Sequence, residues 1–255
     1  MTKMLLKRSL INFRMLLVII LSFVFLFSAL VISGYITHPD FGGRETGTDL
    51  LYLYTVPFAM SSFVVFAGIF PGIPYAYSYL EERNSGYLRF IQLRISRKRY
   101  ACQKILFSGL SGGVSMLIPG LLIFIVLDIL SAETTPTNHS PIFETLIWAP
   151  YMYIWGGWLV LIIKAALMFL FGFMWAELAL AVSLIFRNRY VAFILPFLIF
   201  LVCGMFIKPN DINPMILIRS DYPMETPLFQ PFLIDFVYIG ILCIINYFLF
   251  RRQDR

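Results

Sequence analysis

Tyr77-Ser-Tyr-Leu-Glu-Glu-Arg-Asn-Ser-Gly-Tyr-Leu-Arg-Phe-Ile-Gln-Leu-Arg-Ile-Ser-Arg-Lys-Arg-Tyr-Ala-Cys-Gln-Lys104 holds seven Lys and Arg and an acidic pair between two long apolar runs. A charged segment so flanked reads as a surface loop between two membrane spans, and its excess of Lys and Arg places it on the cytoplasmic side. Its ordered pattern of residue types suggests docking, and the plain alternative is a positive-inside loop whose arginines touch anionic lipid heads.

The rest of the chain agrees with a membrane setting. Of 255 residues, 60% are hydrophobic and only 13% charged, against roughly 25% charged in an average soluble protein. The apolar runs leave no room for a separate soluble module, so residues 1–255 read as one transmembrane domain. The formal charge of +6 does not indicate a nucleic-acid reader, because the basic residues are distributed by topology and not gathered on a soluble face. Cys102, Cys203 and Cys243 are scattered and odd in number. They read as small packing residues, not as a disulfide framework or zinc site.

Six spans are expected, at about 15–35, 53–77, 105–130, 158–186, 191–207 and 232–250, each near or above the ~20 residues a helix needs to cross hydrocarbon. The fourth apolar run begins earlier, at Tyr151, and Trp148, Tyr151, Tyr153, Trp155 and Trp158 read as an aromatic belt at its outer end. Pro196 is expected to kink the fifth span. The first run exceeds a signal peptide's apolar core and lacks a small-residue cleavage site, so it reads as an uncleaved span. Sixteen of the twenty Lys and Arg fall on one side of this arrangement. The expectation is a multi-pass protein of the cell membrane with both termini cytoplasmic.

Within the opening stretch, Leu88, Ile91 and Ile95 share one helical stripe, which predicts a short amphipathic helix along the inner membrane surface. Just before it, Pro71, Gly72 and Pro74 predict a break in the second span and are hinge candidates. Glu177 lies deep in the fourth span, and a buried charge is a functional candidate because burial is unfavourable; it is a candidate for the translocation path. Lys164 reads as snorkelling to the outer headgroups, and Asp128 and Asp235 as solvent-reached ends of spans three and six. In the proline-rich outer loop, 208–231, residues 212–219 are long enough for one or two helical turns.

The order Glu81-Glu82-Arg83, Gly86, Leu88, then Ser96-Arg97, Tyr100 and Lys104 resembles the first cytoplasmic loop of ABC-2 type transporter permeases. The match covers about 28 residues in detail and the six-span plan covers the chain; Ile95 stands where many members carry proline. The resemblance implies an all-α fold of six transmembrane helices, with a cytoplasmic amphipathic coupling helix between spans two and three. It also implies a short helical or re-entrant outer segment between spans five and six. The docking residues for a separate ATPase subunit would be Glu81, Glu82, Arg83, Gly86, Leu88, Arg89, Ile91 and Arg97. In that reading the acidic pair faces basic residues of the partner, and the apolar stripe fills the partner's groove.

The implied assembly has two ATPase subunits, a second copy of this chain or a paralogous permease, and the lipid bilayer; nucleic acid has no part in it. The chain carries no Gly-x-x-x-x-Gly-Lys-Ser/Thr, so ATP and Mg would be bound by the partner and the chain itself would be neither enzyme nor cofactor protein. The implied activity is export of a hydrophobic or amphipathic substrate: an antimicrobial peptide, a drug or a lipid-like molecule. Two rivals make other demands. A secondary transporter driven by an ion gradient wants internal repeats and several midplane carboxylates. An intramembrane enzyme wants catalytic or metal-ligating side chains within spans, whereas His38 and His139 both fall in outer loops.

Overall fold

In hydrocarbon the backbone has no partner but itself, so long apolar runs close into helices. The computed structural model describes residues 2–32, 61–130, 157–207, 212–213 and 229–252, and these are all helix and turn with no strand among them. In chain order they are α1 (Thr2–Leu10), α2 (Phe13–Ile32), α3 (Ser62–Phe66), a 3-10 turn (Phe70–Gly72), α4 (Ser78–Asn84), α5 (Tyr87–Arg94), α6 (Arg97–Leu130), α7 (Gly157–Ile185), α8 (Arg189–Phe206) and α9 (Gln230–Arg252).

Five of these, α2, α6, α7, α8 and α9, are long and apolar enough to cross a membrane. The remaining expected span, 53–77, is not one helix in its described part. α3 ends at Phe66, and 67–77 continue as the 3-10 turn and successive turns. Pro71 and Pro74 supply no N–H, so two rungs of the backbone ladder are missing within four residues, although Ile73 itself stays in the α region. Irregular backbone at this depth survives only under cover of protein, and Phe70, Pro71, Gly72, Pro74 and Ala76 are all buried. The remainder of that span, the aromatic belt before α7 and most of the outer loop lie outside the described residues. Helix α8 runs unbroken through Pro196, as α6 does through Pro119.

Helix α7 is the most enclosed of the five and forms the middle of the bundle. Phe171, Met174 and Trp175 join Val18, Leu26, Phe63, Met116 and Phe200 in the larger core cluster, and Ala179 and Leu180 join Leu80, Tyr100 and Ile105 in the second. Helices α6 and α7 cross with their backbones in close approach. A Cβ on Gly112 would stand 2.6 Å from the Gly172 carbonyl oxygen and 3.0 Å from that of Pro71, so three backbones meet where only glycine fits. Helices α2, α8 and α9 turn Ile20, Val24, Leu198, Val202, Phe236 and Ile244 outward. An outer surface of that composition suits lipid rather than water.

Candidate functional site

The cytoplasmic-loop segment is held by a bend between α1 and α2. Asn12 Oδ1 accepts a 2.7 Å hydrogen bond from the Met15 amide, an N-cap that satisfies one of the free amides opening α2. The same side chain donates from Nδ2 to the Pro74 carbonyl at 3.1 Å and to the Arg8 carbonyl at 3.0 Å. A single amide thereby starts a membrane helix, fastens α1, and covers a carbonyl of the broken segment. On either side of Asn12, Arg8 reaches Glu82 at 3.1 Å and Arg14 grips Glu81 with two bonds of 3.1 and 2.8 Å.

Glu82 is the centre of the site. It is buried, and its carboxylate accepts from the Tyr100 hydroxyl at 2.5 Å and from Lys104 Nζ at 3.1 Å, in addition to Arg8. Lys104 is buried as well; it donates to Ser78 Oγ at 2.6 Å and lies 4.4 Å from the centroid of the Tyr75 ring. Paired and hydrogen-bonded charges of this kind tolerate burial that a lone charge would not. Glu82 belongs to α4, and Tyr100 and Lys104 to α6, so the network spans both flanks of α5. Glu81 is partly exposed and shared by Arg14 and, at 3.7 Å, Arg189. Exposed pairs of that sort contribute about 0–1 kcal/mol.

Helix α5 starts at Gly86, whose φ of +73° lies in the left-handed region. Nothing stands within 4 Å of a Cβ built there, so Gly86→Ala should lower stability through backbone strain alone, by about 1–2 kcal/mol. Thermal unfolding of the purified chain checks this, and an unchanged midpoint would reject the role of the turn.

The stripe predicted to be amphipathic forms, but it faces the chain's own core. Ile91 is buried in the second cluster, with Leu88 and Ile95 packed against it. The outward face instead carries Tyr87, Phe90 and Leu93, with Phe90 65% and Leu93 85% exposed. Arg89 and Arg94 flank it and are exposed too, as is Arg97 at the start of α6. Arg83 lines a cleft beside α5, and its Nη1 is buried without a hydrogen-bond partner among the described residues.

Three deep charges sit inside the bundle. Glu177 on α7 has no exposed surface; its Oε2 accepts from Asn246 Nδ2 on α9 at 2.7 Å, and that amide also donates to the Glu177 carbonyl at 2.9 Å. Lys164 is 3% exposed and Asp235 wholly buried, which corrects the expectation that the first snorkels and the second meets solvent. Side chains of this polarity were turned inward because the helices present them to neighbours, a rotation that hydropathy does not report. The side chain of Asp128 lies outside the described residues. All three cysteines are free, with Cys102 exposed and the other two half-buried, so none is a fully enclosed packing residue.

Sequence reading did not single out Arg8, Asn12, Arg14, Ser78 or Asn246. It had Tyr100 and Lys104 as parts of a pattern without a partner, though their i, i+4 spacing on one helix face was the available signal. No protein-family model, curated protein or solved structure matches the chain. Among the described residues the fold is all-helical, and its five long apolar helices have the length and composition of a multi-pass membrane protein.

Proposed function

We propose that the chain is the membrane subunit of an ATP-driven exporter, with α5 as the element that docks on a separate ATPase subunit. The observation that carries this is the bracing of α5 on both flanks. Glu82 before it and Tyr100 and Lys104 after it form one buried network, so a displacement of α5 passes into α6 instead of being absorbed by a slack loop. The docking face is Tyr87, Phe90 and Leu93 with Arg89 and Arg94 beside them, a composition complementary to an apolar groove with an acidic rim. Glu82 acts in this reading as a positioning residue inside the chain, and the turns around Pro71, Gly72 and Pro74 are the hinge between the membrane core and the α4–α5 segment. Two such chains would form a path between them for a hydrophobic or amphipathic substrate.

The test is co-purification with a candidate ATPase subunit. Phe90→Ala with Leu93→Ala should weaken retention of the partner by about tenfold or more while thermal unfolding of the isolated chain stays unchanged, because both side chains are exposed. Full retention and full coupling in that variant would remove α5 as the docking element. Reversal of Glu82 is a poor substitute, since it disrupts a buried network.

One observation favours a second reading. Glu177, Lys164 and Asp235 are all enclosed in the bundle, and enclosed ionisable groups are what an ion-coupled transporter uses. Proteoliposomes separate the two: uptake driven by a pH step with neither ATP nor the ATPase subunit present belongs to the second reading, and uptake that needs both belongs to the first.

A further inference from the structure

Glu177 stands eight residues before the end of α7, about 12 Å at the helical rise, and its partner there is Asn246 on α9. The Asn246 amide has two N–H hydrogens, and Nδ2 reaches Glu177 Oε2 at 2.7 Å and the Glu177 carbonyl at 2.9 Å. Its donors are thereby used up. Two acceptors of the pair, Glu177 Oε1 and Asn246 Oδ1, are buried with no hydrogen-bond partner among the described residues. A carboxylate oxygen and an amide oxygen left in this way require a hydrogen or a cation, since buried acceptors are otherwise satisfied.

The charge makes the stronger demand. Glu177 has no exposed surface, and an ionised carboxylate in an apolar interior persists only beside a counter-charge. Helices α6, α7 and α9 meet here, and all three are described through this level. From α6 the backbone of Gly109 faces the carboxylate, but its amide already belongs to the helical ladder. From α9 come Asn246 and, one turn earlier, the Cys243 thiol. The residues one turn away on α7 itself, Phe173, Met174, Leu180 and Ala181, are apolar. Lys104 lies five residues before Gly109 on α6 and is engaged with Ser78 and Glu82. None of the groups that face Glu177 among the described residues is a cation. A water molecule would give hydrogens to both acceptors but leave the negative charge in place.

We infer that Glu177 and Asn246 form a binding site for one small monovalent cation, with Glu177 Oε1 and Asn246 Oδ1 as its ligands. As a proton it turns the carboxyl into a donor toward the amide oxygen; as a sodium ion it sits on the same two oxygens. Occupancy neutralises the carboxylate and ties α7 to α9, whereas an empty site leaves a bare charge at their seam. Glu177→Gln imitates the occupied state, because its amide donates where the protonated carboxyl would. The site is argued from this pair alone and stands whether or not either transport reading holds.

Infrared spectroscopy of the full chain in detergent at about pH 7, well above the ~4.3 of a free glutamate, reads the proton directly. Wild type should show the carbonyl stretch of a neutral carboxylic acid, Glu177→Gln should lose it, and Asn246→Leu should shift it because the partner oxygen is gone. Thermal unfolding in sodium chloride against choline chloride at equal ionic strength reads the other occupant. A sodium-specific rise in Tm of about 4 °C or more, absent in Glu177→Gln and accompanied by no acid band, identifies sodium. An ionised Glu177 with no sodium-specific rise overturns the site. So does an acid band that survives Glu177→Gln and vanishes in Asp235→Asn, since the proton would then belong to that other enclosed carboxyl. Should Glu177→Gln fail to fold, the Asn246→Leu shift carries the assignment, and an acid band unmoved in that variant overturns it.

Discussion

Glu82→Ala is expected to destabilise the chain by about 3–5 kcal/mol, the range for removing one partner of a buried ion pair. Lys104 is 1% exposed on its side chain, so the variant leaves its ammonium with the Ser78 hydroxyl and the Tyr75 ring and no counter-charge. The Tyr100 hydroxyl loses its acceptor as well, and Arg8 its tie to α4. For a chain of this length the loss corresponds to a fall in Tm on the order of 10 °C. The double variant Glu82→Met with Lys104→Met should recover much of it, because a neutral, filled site does not suffer the desolvation of an unpaired charge. A Tm within about 2 °C of wild type in the single variant would mean that water reaches Lys104 and that the network is not the brace described above.

The second large effect is expected at the crossing of α6 and α7. Gly112→Ala places a methyl group 2.6 Å from one backbone carbonyl oxygen and 3.0 Å from another, closer than the 3.3–3.6 Å typical of even an attractive carbon–oxygen contact. Neither oxygen can swing aside as a side chain would, so the helices must part and the 3-10 turn at Phe70–Gly72 must move with them. Overpacking of this sort lowers stability by about 1–3 kcal/mol, and Gly112→Leu should prevent recovery of folded chain. Gly240→Ala is the matched control: it lies within α9 with nothing within 4 Å of the added Cβ, so it should be neutral or stabilising by up to about 1 kcal/mol. A Gly112→Ala chain as stable as Gly240→Ala would show that the crossing has slack.

Both predictions concern contacts that no single stretch of sequence displays. The apolar runs were legible because a length of about twenty residues free of charge has one outcome in a bilayer. Five of the six expected spans accordingly correspond to helices, and the proline pair announced the break in the other. The direction each helix faces was not legible. α5 carries two apolar stripes, one through Leu88 and Ile91, continued by Ile95 just past its end, and one through Tyr87, Phe90 and Leu93, and periodicity ranks neither above the other. Only packing against Leu80, Tyr100 and Ile105 selects the first as the buried one. Lys164 and Asp235 make the same point, since hydropathy reports depth along a helix and not rotation about it.

The sequence by itself determined the solvent the chain lives in and the approximate ends of its helices. These are local consequences of hydrophobic length and missing N–H groups. What the tertiary structure decided is the use made of the charges. Arg8 and Glu82 are 74 residues apart, and Glu177 and Asn246 are 69 apart; a pair so separated forms only when folding brings two elements together. An ionisable group in a poorly solvated interior must then be matched in position as well as sign. The acidic pair of the opening stretch thus reads in sequence as an outward-facing docking feature, whereas in the fold Glu82 is buried and ties α4 to α6 on the two sides of α5.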